Sequence, residues 1–189
     1  MNIVLIVSRS EIDTRSCARQ SPLVGSPRVT LRHQPRAPGF PTRLKAARQA
    51  MGLTGAQLGE RLRAVQETAG ERVRGASKQA ISGLEAGRQG CDTLLCERLA
   101  EALGVPPTKL AYGLDMRGGA AAGYGERIRQ ARDARGHSME DLAAALEYRN
   151  RSSIANLEAE RQLLDLALAE RIAAELRVSP AWLAFGVEN

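Results

Sequence analysis

The stretch that decides the fold lies near the middle of the chain and consists of Ser77-Lys78-Gln79-Ala80-Ile81-Ser82-Gly83-Leu84-Glu85-Ala86-Gly87-Arg88. Serine is a favourable N-cap, because its hydroxyl accepts a hydrogen bond from a free amide of the first helical turn. Ala80, Ile81 and Leu84 recur at helical spacing, whereas Lys78, Gln79 and Ser82 fall on the opposite side. The stretch predicts a short amphipathic helix with a polar start.

The same pattern returns 73 positions later in the chain. Residues 81–113 and 154–186 are identical at 17 of 33 positions, and residues 43–62 match residues 127–146 at 7 of 20 with an offset of 84. The 11-residue difference between the offsets indicates an insertion in the first copy, between Leu62 and Ser77. Because an internal repeat marks one structural unit used more than once, we predict two copies, at about 42–113 and 124–186.

Each copy shows the start and stop signals of five short helices and no strand-like alternation. Thr54 with Gln57 in the first copy, and Ser138 with Asp141 in the second, predict capping boxes. The remaining predicted N-caps are Ser77, Asn150, Asp92 and Asp165. Within the insert, residues 63–76, the second helix is expected to continue as far as Gly70. The sequence therefore predicts an all-α fold with two tandem five-helix domains.

Outside the repeats the chain changes character. Residues 1–41 hold five prolines, six arginines and no sustained periodicity, which predicts a disordered basic tail. Such a tail is either a solvated or misassigned upstream extension, or a basic arm that adds phosphate contacts. Residues 114–123 are rich in glycine and alanine and are expected to form a flexible linker before the second domain, residues 124–189.

Composition excludes several functional classes. The 3% of aromatic residues is too low for a single-strand stacking platform, and no apolar run approaches the roughly 18 residues of a membrane helix. Residues 3–7 lack a basic start and the length of a secretory segment, so we expect no signal peptide. Three cysteines and two histidines disfavour a disulfide scaffold or a zinc site. Neither Cys91, Cys96 nor His137 stands in a catalytic or metal-binding pattern, which predicts a cytoplasmic protein that is not an enzyme and needs no cofactor or metal.

The net charge of +6 is unevenly distributed along the chain. Residues 1–41 carry +4, residues 42–116 carry +3, and residues 117–189 carry −1. Because the phosphate backbone dominates affinity for nucleic acid, the last third is expected to bind a polyanion less well than the middle.

The stretch 77–88 resembles the recognition helix of the Cro and phage-repressor helix-turn-helix family, also called the XRE family. The passages 102–107 and 178–186 resemble the fourth-to-fifth helix passage of that family, so the resemblance covers both repeats. It implies two lambda-repressor-like domains that bind double-stranded DNA. A recognition helix lies in the major groove with its N-terminal residues at base edges. The residues expected to contact DNA in the first copy are Thr54, Ser77, Lys78, Gln79, Ser82, Gly83 and Arg88.

Two departures from the family pattern bear on these contacts. The family has a glutamine just after the cap of the second helix, where this chain has Gly55 and Met139, so that contact is absent in both copies. The insert enlarges the turn before the third helix, where Arg72 and Arg74 either meet phosphate or lie in a solvated loop.

In the second copy the corresponding positions are Arg151, Ser152 and Asn156. Arginine suits guanine and asparagine suits adenine. Glu147 and Glu160 flank the helix, however, and carboxylates repel phosphates. The second copy therefore either contacts DNA or serves packing, dimerisation or a protein partner.

The resemblance also implies a structural ion pair in each copy, between an arginine of the first helix and a glutamate late in the third. These pairs are Arg48 with Glu85 and Arg132 with Glu158.

Taken together, the sequence predicts a sequence-specific double-stranded DNA-binding transcriptional regulator, a cytoplasmic and nucleoid-associated repressor that occludes a promoter. It would act as a homodimer or as an intramolecular pseudo-dimer. The alternative is a protein-interaction module or an antitoxin-type protein, whose second copy binds a protein partner.

Overall fold

The computed structural model describes residues 39–187, and this part of the chain is built from ten α-helices. The all-α prediction is confirmed: the described range holds no strand, only one isolated β-bridge between Asp92 and Asp165. None of its helices has the length and apolar character that crossing a membrane requires. The helices are α1 Phe40–Ala50, α2 Gly55–Thr68, α3 Lys78–Glu85, α4 Thr93–Ala102, α5 Pro107–Tyr112, α6 Tyr124–Ala134, α7 Met139–Ala145, α8 Ser152–Glu158, α9 Leu166–Leu176 and α10 Pro180–Phe185.

Local capping explains where most of these helices begin. The Thr54 hydroxyl accepts from the Gln57 N–H at 3.3 Å, and the Gln57 side chain accepts from the Thr54 N–H at 2.9 Å. Ser138 and Asp141 form the same capping box on α7. Because each cap satisfies amides that lack a partner within the helix, these starts are set by residues three positions apart. Both predicted capping boxes are confirmed.

Two helix starts differ from the sequence prediction. The first helix begins at Phe40, two residues inside the segment 1–41 assigned to the tail, because the Phe40 ring is buried in the core and Pro41 is tolerated in a first turn. Residues 1–38 lie outside the described part, so the predicted disordered tail is untested. At α8 the predicted cap Asn150 was wrong: Arg151 is the N-cap, already has helical angles (φ −62°, ψ −20°) and makes no capping hydrogen bond.

The insert extends α2 and then returns along α4. Helix α2 runs to Thr68 and the chain reverses at Gly70 (φ 68°), as predicted. The Gln66 side chain, which is buried, bonds the backbone N–H and carbonyl of Arg74 at 3.0 and 3.1 Å. The Arg74 guanidinium binds both carboxylate oxygens of Asp92, at 2.6 and 2.9 Å. Neither alternative for Arg74 was therefore right, because it anchors the insert to α4; Arg72 is exposed.

The segment expected to be a flexible linker is bonded to a neighbouring helix near each of its ends. The Thr108 hydroxyl lies 2.9 Å from the Leu114 carbonyl and 2.8 Å from the Met116 carbonyl. The Ala120 N–H donates to the Phe185 carbonyl at 2.9 Å, and the Ala121 side chain is buried. These bonds attach Leu114 and Met116 to α5 and Ala120 to α10. The flexibility of residues 114–123 stays a prediction.

Candidate nucleic-acid interface

Helix α3 presents a polar start to solvent and packs its other side into the core. Ile81 and Leu84 are each 1% exposed, and the Ser77 hydroxyl caps the helix by accepting from the Ala80 N–H at 3.1 Å. Lys78 and Gln79 are exposed. Their side chains, like that of the exposed Ser82, make no hydrogen bond or ion pair with any described residue. Three polar side chains on a fixed helix are thus free to meet a ligand.

Gly83, predicted to lie on the same open face, is buried. A Cβ placed on Gly83 would come within 3.0 Å of the Gln89 side chain, which covers this position. The Gly83 carbonyl accepts from the Arg88 N–H at 2.9 Å, and Gly87 (φ 65°) turns the chain at this helix end. The end of α3 therefore folds over Gly83, while the Arg88 side chain remains exposed beside it.

The start of α2 lies against the start of α3. A Cβ placed on Gly55 would be 3.9 Å from Lys78 Cγ, so Thr54 lies next to the polar end of α3. Thr54 is exposed, and its hydroxyl donates to Gln57 Oε1 at 3.0 Å. The fold brings together the two helix starts that the sequence prediction assigned to DNA contact.

Helix α8 carries a second set of exposed polar side chains. Arg151, Ser152 and Asn156 are all exposed. Arg151 Nη1 donates to Glu140 Oε1 at 3.2 Å, an exposed contact between side chains that are 68% and 61% accessible. An exposed ion pair of this kind is worth little and exchanges readily with another anion.

The two carboxylates that flank α8 differ in their surroundings. Glu160 Oε1 accepts from the Gly125 N–H at 3.1 Å, so this carboxylate binds the first turn of α6. Glu147 is exposed and has a positive φ of 60°. Only Glu147 therefore keeps a carboxylate that no described residue binds.

A partly buried ion pair joins each of α3 and α8 to the first helix of its group. Arg48 Nε and Nη2 lie 2.5 and 2.9 Å from the Glu85 carboxylate oxygens, and the hydrogen bond to Glu85 raises the pKa of Arg48. Arg132 Nε and Nη2 lie 2.6 and 3.3 Å from Glu158, which likewise raises the pKa of Arg132. The guanidinium groups also donate to the carbonyls of Leu53 and His137. These bonds fix the direction in which α3 and α8 point.

Sequence reasoning missed a second pair of anchoring arginines. Arg43 Nε donates to the Leu110 carbonyl at 2.9 Å, and its Nη2 donates to the Ala111 carbonyl. Arg127 repeats this arrangement with the carbonyls of Leu183 and Ala184, at 2.9 and 3.0 Å. Both arginines hold the fifth helix of their group against the first. Their identity at the 84-residue offset was the signal that could have revealed them.

The two cysteines within residues 39–187 belong to the interior of this part of the chain. Cys91 and Cys96 are buried free thiols, and burial raises the pKa of Cys91 well above its ordinary value. A protonated, buried thiol is neither a strong nucleophile nor a metal ligand. No cluster of three or more metal-ligating side chains occurs among residues 39–187.

Comparison with known proteins identifies the second half of the helical array. Residues 128–183 match the helix-turn-helix family model. This part of the chain is therefore similar to a helix-turn-helix domain. The match runs from α6 into α10 and includes α8. Helix α8 carries fewer candidate DNA contacts than α3. No curated protein and no solved structure matches the chain.

A helix-turn-helix domain suggests a DNA-binding transcription regulator, since this family consists of such regulators rather than enzymes. That the first five helices form another domain of the same kind stays a prediction.

Proposed function

We propose that this chain is a sequence-specific double-stranded DNA-binding transcriptional regulator that represses by occluding a promoter. Its two helix-turn-helix domains are residues 40–113, the predicted range extended to the start of α1, and residues 124–189. The observation that carries the proposal is the polar start of α3, where Lys78, Gln79 and Ser82 are exposed and have no partner within the described range. The family match to residues 128–183 supports the same activity for the other domain.

The chemistry of these side chains fits base edges in the major groove. The Lys78 ammonium can donate to guanine O6 and N7, and the Gln79 amide can pair with adenine N6 and N7 through two hydrogen bonds. Ser77 and Arg88 flank the helix and suit phosphate oxygens, which position a protein without reading sequence. Thr54 would exchange its hydroxyl bond with Gln57 for a phosphate, since both side chains are exposed.

Helix α8 supplies the second set of contacts under this proposal. Arg151 would leave the exposed carboxylate of Glu140 and donate to guanine, while Asn156 suits adenine. The partly buried ion pairs on α3 and α8 support this role, because a rigid helix loses little entropy when its side chains engage bases.

The test is selection of bound sequences from random duplex DNA, performed at several salt concentrations. The wild-type protein is expected to enrich a defined motif. The double variant Lys78→Ala, Gln79→Ala should lose about 10- to 100-fold in discrimination, because a good bidentate pair is worth about 1–3 kcal/mol. The matched control is Lys45→Ala, Gln49→Ala, which removes the same residue types and charge from the exposed side of α1. A reporter fused to an enriched site should show lower expression when the protein is present than when it is absent.

Two results would contradict the proposal. Undiminished discrimination by the Lys78, Gln79 double variant would remove α3 from sequence reading. Weak binding that disappears at physiological salt without an enriched motif would remove the regulator function itself. The second result would leave the alternative, in which residues 124–189 bind a protein partner, and would redirect the search to that partner.

A further inference from the structure

The junction between α1–α5 and α6–α10 pairs residues that occupy equivalent sequence positions. Asp92 and Asp165, the N-caps of α4 and α9, form an isolated antiparallel bridge and lie 73 positions apart. The Tyr112 and Phe185 rings, also 73 positions apart, meet edge to face with centroids separated by 6.2 Å. This is the offset that aligns residues 81–113 with 154–186. Both helical groups therefore contribute the same surface to the junction.

Backbone hydrogen bonds on the two sides of the bridge also join the two groups symmetrically. The Thr93 N–H donates to the Leu164 carbonyl at 2.8 Å, and the Leu166 N–H donates to the Cys91 carbonyl at 3.0 Å. Thr93 is equivalent to Leu166, and Cys91 to Leu164, so exchanging the groups converts one bond into the other. A contact in which residue i meets j and j meets i is isologous and has two-fold symmetry. The contacts at the junction thus follow an approximate two-fold axis.

A two-fold relation is the one that helix-turn-helix dimers use on inverted half-sites about 34–36 Å apart. Here both halves belong to one chain. We propose that a single chain binds one duplex site composed of two unlike half-sites in inverted orientation, with α3 on one and α8 on the other. This proposal rests on the DNA-binding function proposed above.

The half-sites are unlike because equivalent positions on the two helices carry different side chains. The equivalent pairs are Lys78 with Arg151, Gln79 with Ser152, Ser82 with Ala155, and Gly83 with Asn156. Lysine and arginine both donate to guanine, but the amide that suits adenine stands near the start of α3 and in the middle of α8. The preferred A·T pair is therefore expected at a different place in each half-site.

The junction itself is built asymmetrically around its axis. Two like-charged carboxylates, those of Asp92 and Asp165, cap helices that start at the bridge. Arg74 offsets the charge of Asp92 with two hydrogen bonds, and it comes from the insert that only α1–α5 carries. The junction thus includes an ion pair to an arginine of the insert, a segment that has no counterpart in the sequence of the second copy.

The same contacts favour one chain per site. The residues that surround the bridge are buried within the chain, each 4% exposed or less; they are Cys91, Thr93, Leu164 and Leu166. The Thr93 and Leu166 N–H groups and the Leu164 and Cys91 carbonyls already bond each other. A second chain therefore has no access to this surface, and the expected complex holds one protein per duplex.

The first experiment determines the form of the selected site and the stoichiometry of the complex. Wild-type protein should enrich two unlike elements in inverted orientation, and light scattering of the purified complex should give one chain per duplex. Lys78→Ala with Gln79→Ala should erase one element only, and Arg151→Ala with Asn156→Ala the other only. Arg129→Ala, which removes an exposed arginine from α6, is the control and should leave both elements intact.

The second experiment loosens the junction without changing either helix that contacts DNA. Thr93→Pro removes the N–H that binds Leu164, at a first helical position where proline is tolerated. It should weaken binding to the two-element site by about 2- to 10-fold, the equivalent of one hydrogen bond, while binding to each single element is unchanged. Thr93→Val is the matched control, since it keeps the amide and removes only a buried hydroxyl that has no partner.

The outcomes separate this inference from the function on which it rests. An enriched site with two identical elements, a single element, or two chains per duplex would overturn the single-chain inference and leave DNA binding in place. Equal affinities of Thr93→Pro and Thr93→Val for the two-element site, with unchanged helical content by circular dichroism, would also overturn it. Absence of any enriched motif would overturn both.

Discussion

Replacing Arg132 by methionine should destabilise the protein far more than replacing the nearby Arg129. The Arg132 and Glu158 side chains are only 9% and 7% exposed, and two hydrogen bonds join them. Arg132→Met leaves the Glu158 carboxylate buried without its partner, which costs about 3–5 kcal/mol. Arg129 is 62% exposed and lies 3.8 Å from Asp133, so Arg129→Met should cost less than about 0.5 kcal/mol.

The stability lost in Arg132→Met should come from the unpaired charge of Glu158 rather than from the contact area that the arginine side chain loses. Adding Glu158→Leu to Arg132→Met removes the stranded carboxylate and should recover most of the stability, because apolar pairs often replace buried ion pairs without loss.

Urea unfolding followed by far-ultraviolet circular dichroism gives these free energies from the shift in midpoint at constant slope. The measurements should be made at low and at high salt, since salt screens a buried ion pair much less than an exposed one. An equal cost of Arg132→Met and Arg129→Met would contradict the presence of a buried, unpaired charge at Glu158. Additive effects of the substitutions at Arg132 and Glu158 would contradict it as well.

Three further predictions concern single positions in the fold. Gly59→Ala should cost about 1–3 kcal/mol in the free energy of unfolding, because a Cβ there would lie 2.3 Å from the Ala76 carbonyl oxygen, whereas Gly55→Ala on the same helix should be tolerated. Burial raises the pKa of Glu170, so Glu170→Gln should raise the melting temperature at pH 7 and make no difference below about pH 4. Arg177 has a φ of 51°, so Arg177→Gly should raise the free energy of unfolding by about 0.5–1 kcal/mol in urea unfolding. An equal or lower midpoint would contradict the strain assigned to Arg177.

The parts of the fold that the sequence predicted are those set by neighbouring residues. Thr54 and Gln57 cap each other across three positions, so their pattern is visible without any tertiary contact. The length of α2 followed in the same way from its apolar spacing and from Gly70. The exposure of Lys78 and Gln79 followed from the burial of the opposite side of α3.

The parts that could not be predicted depend on residues distant in the chain or on the course of the backbone. Gly83 shares the spacing of an exposed position, but Gln89 folds back over it after the helix has ended. Arg74 looked like either a phosphate ligand or a solvated side chain, and its partner Asp92 lies 18 positions away. Spacing along one helix carries no information about either contact.

The start of the first helix was missed although the repeat contained the signal. Gly39-Phe40 and Gly123-Tyr124 stand at the same 84-residue offset, and both aromatic rings are buried as the first residue of their helix. Extending the alignment by three positions beyond Arg43 would have placed Phe40 in the domain. Pro41 was placed in the tail because residues 1–41 are rich in proline. Proline is, however, also favoured in a first helical turn.

The same repeat explains why the negative charge of Glu160 does not indicate whether α8 repels DNA. At the equivalent places the first group has Pro41, which has no N–H to satisfy, and Gly87, which has no side chain. The second group has Gly125, whose N–H in the first turn of α6 needs an acceptor, and Glu160 supplies it at 3.1 Å. This bond is made although Glu160 has a φ of 52°, an angle that costs a non-glycine residue about 1–2 kcal/mol. The two substitutions compensate each other within the fold, so the charge of Glu160 follows from the structure of α6 rather than from the partner of α8.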